Sequence, residues 1–263
     1  MYTLITGASS GIGLELSKIF AADKNDLILV ARSKQHLETL ALEIREKYNV
    51  QVQVIPMDLS LPESPKKLYE ITESQNWIVD KLVNNAGFGD HGPFDQSEWQ
   101  RQLDMIQVNI SALTELTHLY IRAMITRKSG EILNVASTAA FQPGPYMAVY
   151  YATKAYVLHF SEALHEEYKE YGIHISALCP GPTTSGFQQA ANMNNVALFN
   201  TIKLPSSKDV AQFGYKALKN NKAVAVHGFM NSIMSKLVGI VPRTLVLKSV
   251  KKLQDSRRRP EEK

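Results

Sequence analysis

Cysteine is nearly missing from this 263-residue chain: Cys179 is the single one. That excludes an intrachain disulfide framework, and a reducing compartment, the cytoplasm, is the expected setting. Also missing is any apolar run long enough to span a bilayer. No basic segment followed by an apolar stretch precedes the first strand-like residues, so no signal peptide is expected. Internal repeats and low-complexity linkers are absent, which favours a single domain. No metal site is read. The net charge is only +4, and its excess is local. From Asn231 to Lys263, nine Lys/Arg stand against three Asp/Glu, so the rest of the chain is slightly acidic. The body carries no basic stripe of the kind a nucleic-acid binder needs.

What is present is alternation. Short continuous apolar runs fall at Tyr2–Thr6, Leu27–Ala31, Val52–Ile55, Lys81–Asn84, Gly130–Val135, His174–Leu178 and Ala223–Val226, with amphipathic segments in most gaps. Runs of this kind suit strands buried on both faces of a parallel sheet. The expectation is a doubly wound α/β Rossmann fold with seven parallel strands and helices on both faces. Residues 1–228 form the expected catalytic domain. Its substrate lid is expected at about 183–205, where an α/β connection is unusually long. Residues 229–263 form a basic helical extension of the same domain.

The first run leads into "TGASSGIG", with Gly7, Gly11 and Gly13. Glycines permit a tight turn and close approach of a pyrophosphate, and the helix that follows offers free N–H groups. A glycine turn without a ligand has the same local look; its place after a strand and before a helix raises the specificity. The second run ends in "ARSKQHL" and lacks the carboxylate that an NAD site uses for its ribose hydroxyls. Arg32 can meet a 2′-phosphate instead, which favours NADP(H) over NAD(H), or it is a solvated residue at a helix start. Asp58, after the third run, can accept from an adenine amino group or cap a helix.

In "VYYATKAYVLHF", Tyr150 and Lys154 are spaced i, i+4 and share a helix face. An ammonium near a phenol favours the phenolate, so the pair can move a proton to a carbonyl oxygen or take one from an alcohol. Such a pair alone is also an ordinary feature of a helix surface.

Taken together, "TGASSGIG", "NNAG" at Asn84–Gly87, "NVAS" ending at Ser137, "YYATK" and "PGPTTSGF" resemble, in order and spacing, the classical short-chain dehydrogenase/reductase family. The resemblance covers Thr3 to about Gly228. Within the family it is nearest to bacterial reductases named by similarity to a D-alanine-transfer operon protein. It implies an oxidoreductase that moves a hydride between NADP(H) and a carbonyl or alcohol. Tyr150 matches the acid/base. Lys154 lowers its pKa and holds the nicotinamide ribose. Ser137 orients the substrate oxygen, and Asn109 holds a water that relays protons from Lys154. The resemblance further assigns cofactor contacts to Gly7, Ser9, Ser10, Gly11, Ile12, Gly13, Arg32, Ser33, Asp58, Leu59, Asn85, Ala86, Gly87, Pro180, Gly181, Thr183 and Ser185. Ser185 stands where many members have Thr. Family members are commonly homodimers or homotetramers.

Phe88, Phe94, Phe141, Tyr146, Met147, Phe187 and Leu198 are expected to border the substrate, with Asp90 and His91 the main polar groups. That composition suits an apolar carbonyl or alcohol. In the tail, Val246, Val250 and Leu253 share a helical face opposite Lys248, Lys251 and Lys252. The extension is read as packing on the domain or on a partner subunit in preference to a membrane surface. Two other readings stay open: a dinucleotide sensor without turnover, and a scaffold that works through the tail.

Overall fold

A computed structural model of the chain describes residues 1–191, 193 and 204–255. Seven parallel strands form one sheet: β1 Tyr2–Thr6, β2 Asp26–Ala31, β3 Val52–Pro56, β4 Val79–Asn84, β5 Gly130–Val135, β6 Ile173–Cys179 and β7 Val224–Val226. Their order is β3-β2-β1-β4-β5-β6-β7. All seven match the expected strands within two residues, because their apolar runs are what the sheet buries. Leu27 to Val30 of β2, for example, are wholly inaccessible.

Helices cover both faces. On one side lie α1 Gly11–Ala22, α2 Lys34–Tyr48 and a helix at Ser207–Lys219, where Leu16, Phe20, Leu37 and Val210 pack against Ile5, Leu29 and Leu178. On the other lie α3 Ser64–Ser74, α4 Trp99–Ile106, α5 Leu113–Arg127 and α6 Ala148–Tyr168. There Leu68, Leu116 and Tyr120 meet Leu4, Ile28, Leu82 and Ile132. The strand order reverses beside β1, between β2 and β4. In open α/β sheets such a switch point opens a crevice at the carboxyl ends of the strands. The glycine turn leaves β1 at that point.

Three local features shape what borders this crevice. First, α4 does not end before α5. It continues through a π-helical stretch, Gln107–Ala112, that carries Asn109. Second, the long connection expected as a lid has its two ends tied together. Thr184 N–H donates to Pro205 O at 3.0 Å, and the Ser207 hydroxyl donates to Thr184 O at 2.9 Å. Between them α7 Phe187–Ala190 forms a short helix, and α8 Ser207–Lys219 starts with a Ser206–Asp209 capping box. Residues 192 and 194–203, with Leu198, lie outside the described residues, as do 256–263. Third, the tail folds as α9 Phe229–Leu237 and α10 Arg243–Gln254. The inward face of α10 is Val246, Val250 and Gln254, and this differs from the expected stripe by one position. Leu253 is 52% exposed. Gln254 stays on the i, i+4, i+8 line, whereas Leu253 lies a helical step off it.

Candidate active site

The crevice is a cavity of about 1350 Å³. A single-ligand pocket usually holds roughly 300–1,000 Å³, so there is room for a dinucleotide and a second molecule. Of the residues expected to act in catalysis or to hold the cofactor, all but Gly13 and Asn109 line it.

Where the cavity meets the glycine turn, Gly7 has φ +65°, and a Cβ on it would lie 2.7 Å from Asn85 Nδ2. A Cβ on Gly13 would stand 2.3 Å from Gly7 O, so Gly13 works from behind the wall by letting α1 close on the turn. Thr6, which the motif reading missed, fastens this turn to β4. Its hydroxyl accepts from Asn85 N–H and Ala86 N–H, both at 3.0 Å, and donates to Val83 O. The Asn85 side-chain amide donates to Thr6 O and Gly7 O. Ser10 begins α1 without a side-chain cap, so the orphan N–H groups of the first turn face the cavity.

Next to the turn, Arg32 is exposed at the cavity wall and makes no hydrogen bond or ion pair among the described residues. Ser33 caps α2 by accepting from His36 N–H. Asp58, at the cavity wall, accepts from Ser60 N–H at 2.9 Å, which closes a local turn, and its second carboxylate oxygen has no hydrogen-bond partner among the described residues.

At the other end, β5 delivers Ser137, and α6 delivers Tyr150 and Lys154. All three lie on the same cavity wall. Lys154 is buried, and its ammonium donates to Val135 O at 2.7 Å. Removal from water lowers its pKa to about 8, opposed slightly by Cys179 beneath it. Burial likewise raises the Tyr150 phenol well above its ordinary value, with the Ser137 hydrogen bond pulling the other way. The expected lowering of Tyr150 by Lys154 is therefore not what this geometry produces: the ammonium turns to Val135 O, and desolvation governs the phenol.

Asn109 is buried behind the cavity wall. Its amide donates to Phe88 O and Thr153 Oγ1, both at 3.0 Å, and its Oδ1 accepts from Phe88 N–H. Both amide hydrogens are committed to protein, so the side chain clamps the β4 loop to α6.

The cavity around Tyr150 is apolar. Phe88, Phe141, Met147, Phe187 and Met193 line it, and the Phe187 ring sits 5.3 Å from that of Tyr150. Phe94 is exposed and Tyr146 lies off the cavity. Asp90 is consumed by Arg101 at 2.8 Å. His91, expected as a polar group beside the substrate, lies off the cavity and donates from Nε2 to Gln254 O at 2.8 Å. Gln254 Nε2 donates to Tyr151 Oη at 2.9 Å, so the end of α10 is tied beside the Tyr150 ring. The far wall comes from α9 and α10, including Met234, Leu237, Leu245 and Leu253. Nothing in the spacing of these residues links them to Tyr150, although the absence of acids from Val210 to Gln254 marks this stretch as unusual.

The short-chain dehydrogenase family model matches residues 2–196 of the chain. The chain belongs to this family. Short-chain dehydrogenases are oxidoreductases, and two curated relatives show the range. The very-long-chain 3-oxoacyl-CoA reductase of Anas platyrhynchos is 30% identical over 261 residues, covering 96% of this chain and 81% of its own. The inactive hydroxysteroid dehydrogenase-like protein 1 of Homo sapiens is 33% identical over 183 residues, covering 68% and 54%. Among solved short-chain dehydrogenases, one from Sphingobium yanoikuyae in complex with NADPH superposes with a TM-score of 0.80 at 28% identity, covering 92% of this chain and 96% of that one. The family implies a nicotinamide dinucleotide. The residues fit one: the turn excludes side chains where a pyrophosphate would lie, and the first turn of α1 lacks its own cap.

Proposed function

We propose that this chain interconverts a carbonyl and an alcohol on an apolar substrate with NADP(H), using Tyr150 as the acid and base. The observation that carries this reading is the gathering of Ser137, Tyr150 and Lys154 on one wall of a cavity that runs uninterrupted to the glycine turn.

In this reading the turn from Gly7 to Gly13 and the open end of α1 hold the pyrophosphate. Arg32 and Ser33 take the 2′-phosphate, Asp58 and Leu59 the adenine, and Asn85 to Gly87 line the groove. Lys154 and the segment Pro180, Gly181, Thr183 and Ser185 hold the nicotinamide end. When bound, the dinucleotide supplies the hydride for reduction or accepts it in the reverse direction.

The chain's own work is proton handling. Ser137 donates to the substrate oxygen and orients it. Burial keeps the Tyr150 phenol neutral, which is the form that can donate its proton to that oxygen. The phenolate left behind faces the ammonium of Lys154, which is still mostly charged at neutral pH with a pKa of about 8. Phe88, Met147 and Phe187 keep water from the reacting atoms. A long apolar chamber favours a bulky or chain-bearing carbonyl, in keeping with the name of the Anas platyrhynchos relative. We assign residues 1–228 and the extension 229–263 to one catalytic unit, acting as a homodimer or homotetramer in the cytoplasm.

An NADPH-coupled screen over carbonyls of graded size and polarity tests this. Turnover that improves with apolar bulk is expected. Tight NADPH binding with no turnover anywhere in the screen would reassign the chain as a dinucleotide sensor.

A further inference from the structure

Helix α9 is turned inside out. Its partly covered residues are Asn231, Ser232 and Ser235 together with Ile233, and Asn231 donates to His227 O. Its apolar residues Phe229, Met230, Met234 and Leu237 are exposed, and no residue of the helix is buried. Phe229 at its start is 80% exposed, and Ile240 in the turn before α10 is 81% exposed. A surface helix normally shows the opposite arrangement. A contiguous apolar patch of this kind marks an interaction site.

Charge identifies the occupant. Between Asp209 and Asp255 there is no acidic residue, while Lys216, Lys219, Lys222, Lys236, Arg243, Lys248, Lys251 and Lys252 are all basic. The last five border the apolar patch and are exposed. A two-fold contact with a second copy would bring this face against itself and oppose like charges across it. An anionic lipid surface satisfies both halves: the acyl boundary takes Phe229, Met230 and Ile240, and the headgroups take the lysines. No described helix is long and apolar enough to cross a membrane, so the contact is peripheral.

We propose that the outer face of α9, the following turn and α10 docks on an anionic bilayer surface. Met234, Leu237, Leu245 and Leu253 are exposed and also line the cavity, so docking sets the rim of the apolar chamber against the lipid.

The test is vesicle flotation of the full chain with phosphatidylcholine vesicles with and without phosphatidylglycerol, at physiological ionic strength. The expected result is flotation with the anionic vesicles only. Two variants, Phe229→Ser with Ile240→Ser, and Lys248→Glu with Lys251→Glu and Lys252→Glu, should each weaken it by about tenfold or more. Because these side chains are exposed, the variants should melt like the parent protein and keep its sedimentation coefficient. Equal flotation with both vesicles, none with either, or flotation unchanged in the variants would overturn the proposal. A change of oligomeric state in the Phe229/Ile240 variant would overturn it too, by assigning the face to a second copy.

Discussion

At the scale of single residues, burial does most of the chemistry in this site. It holds the Tyr150 phenol neutral and brings the Lys154 ammonium down to about 8. Tyr150→Phe should therefore lower kcat by about 10²–10⁴-fold, the usual worth of a positioned general acid, with dinucleotide affinity nearly unchanged. Steady-state kinetics and a binding titration read the two effects separately. Lys154 makes a second prediction through linkage. Its folded pKa lies below its unfolded value of 10.5, so between the two the unfolded chain binds more protons and stability rises with pH. The stability of the parent protein relative to Lys154→Met should increase, on the order of 2–3 kcal/mol from about pH 7 to pH 10. Denaturant unfolding across that range measures it. Above the unfolded value the difference levels off, because Lys154 is then neutral in both states.

At the scale of elements, the site depends on how closely two backbones approach. The β1–α1 turn works because Gly13 leaves room for Gly7 O, and Thr6 ties the turn to β4 through three hydrogen bonds. Gly13→Ala places a Cβ against a carbonyl that cannot move aside. It should destabilise the fold by about 1–3 kcal/mol and abolish dinucleotide binding, read by thermal melting and titration. The π-helical stretch between α4 and α5 plays a similar part on the substrate side. It carries Asn109 to the Phe88 loop, and π-bulges commonly occur where a helix serves a site. Asn109 was legible in the sequence as a site residue, but its clamp was not, since the bulge is a tertiary compromise with no local sequence mark.

For the whole molecule, dinucleotide binding should appear as stability. NADPH at about a hundred times its Kd adds roughly 2.7 kcal/mol, which for a chain of this size raises Tm by about 5–10 °C. NADH at the same concentration should give a smaller shift. Arg32→Asp should remove the difference between the two, as differential scanning fluorimetry can show. Equal shifts in the parent protein would separate Arg32 from phosphate recognition.

The seven strands, their parallel arrangement and the glycine turn between β1 and α1 were determined by the sequence itself. Continuous apolar runs dictate burial on both faces, and a glycine turn between strand and helix has few other uses. Tyr150 and Lys154 were equally legible, because their i, i+4 spacing is local, and Ser137 was legible through the family resemblance. Tertiary structure alone decided the remainder. It spent Asp90 on Arg101 and joined His91 and Tyr151 to Gln254, more than a hundred residues along. It also put the polar side of α9 against the domain and left the apolar side outward. These outcomes turn on which of several compatible partners lies nearest in space, and on how desolvation balances against a lysine's choice of acceptor. Neither is written in periodicity or composition.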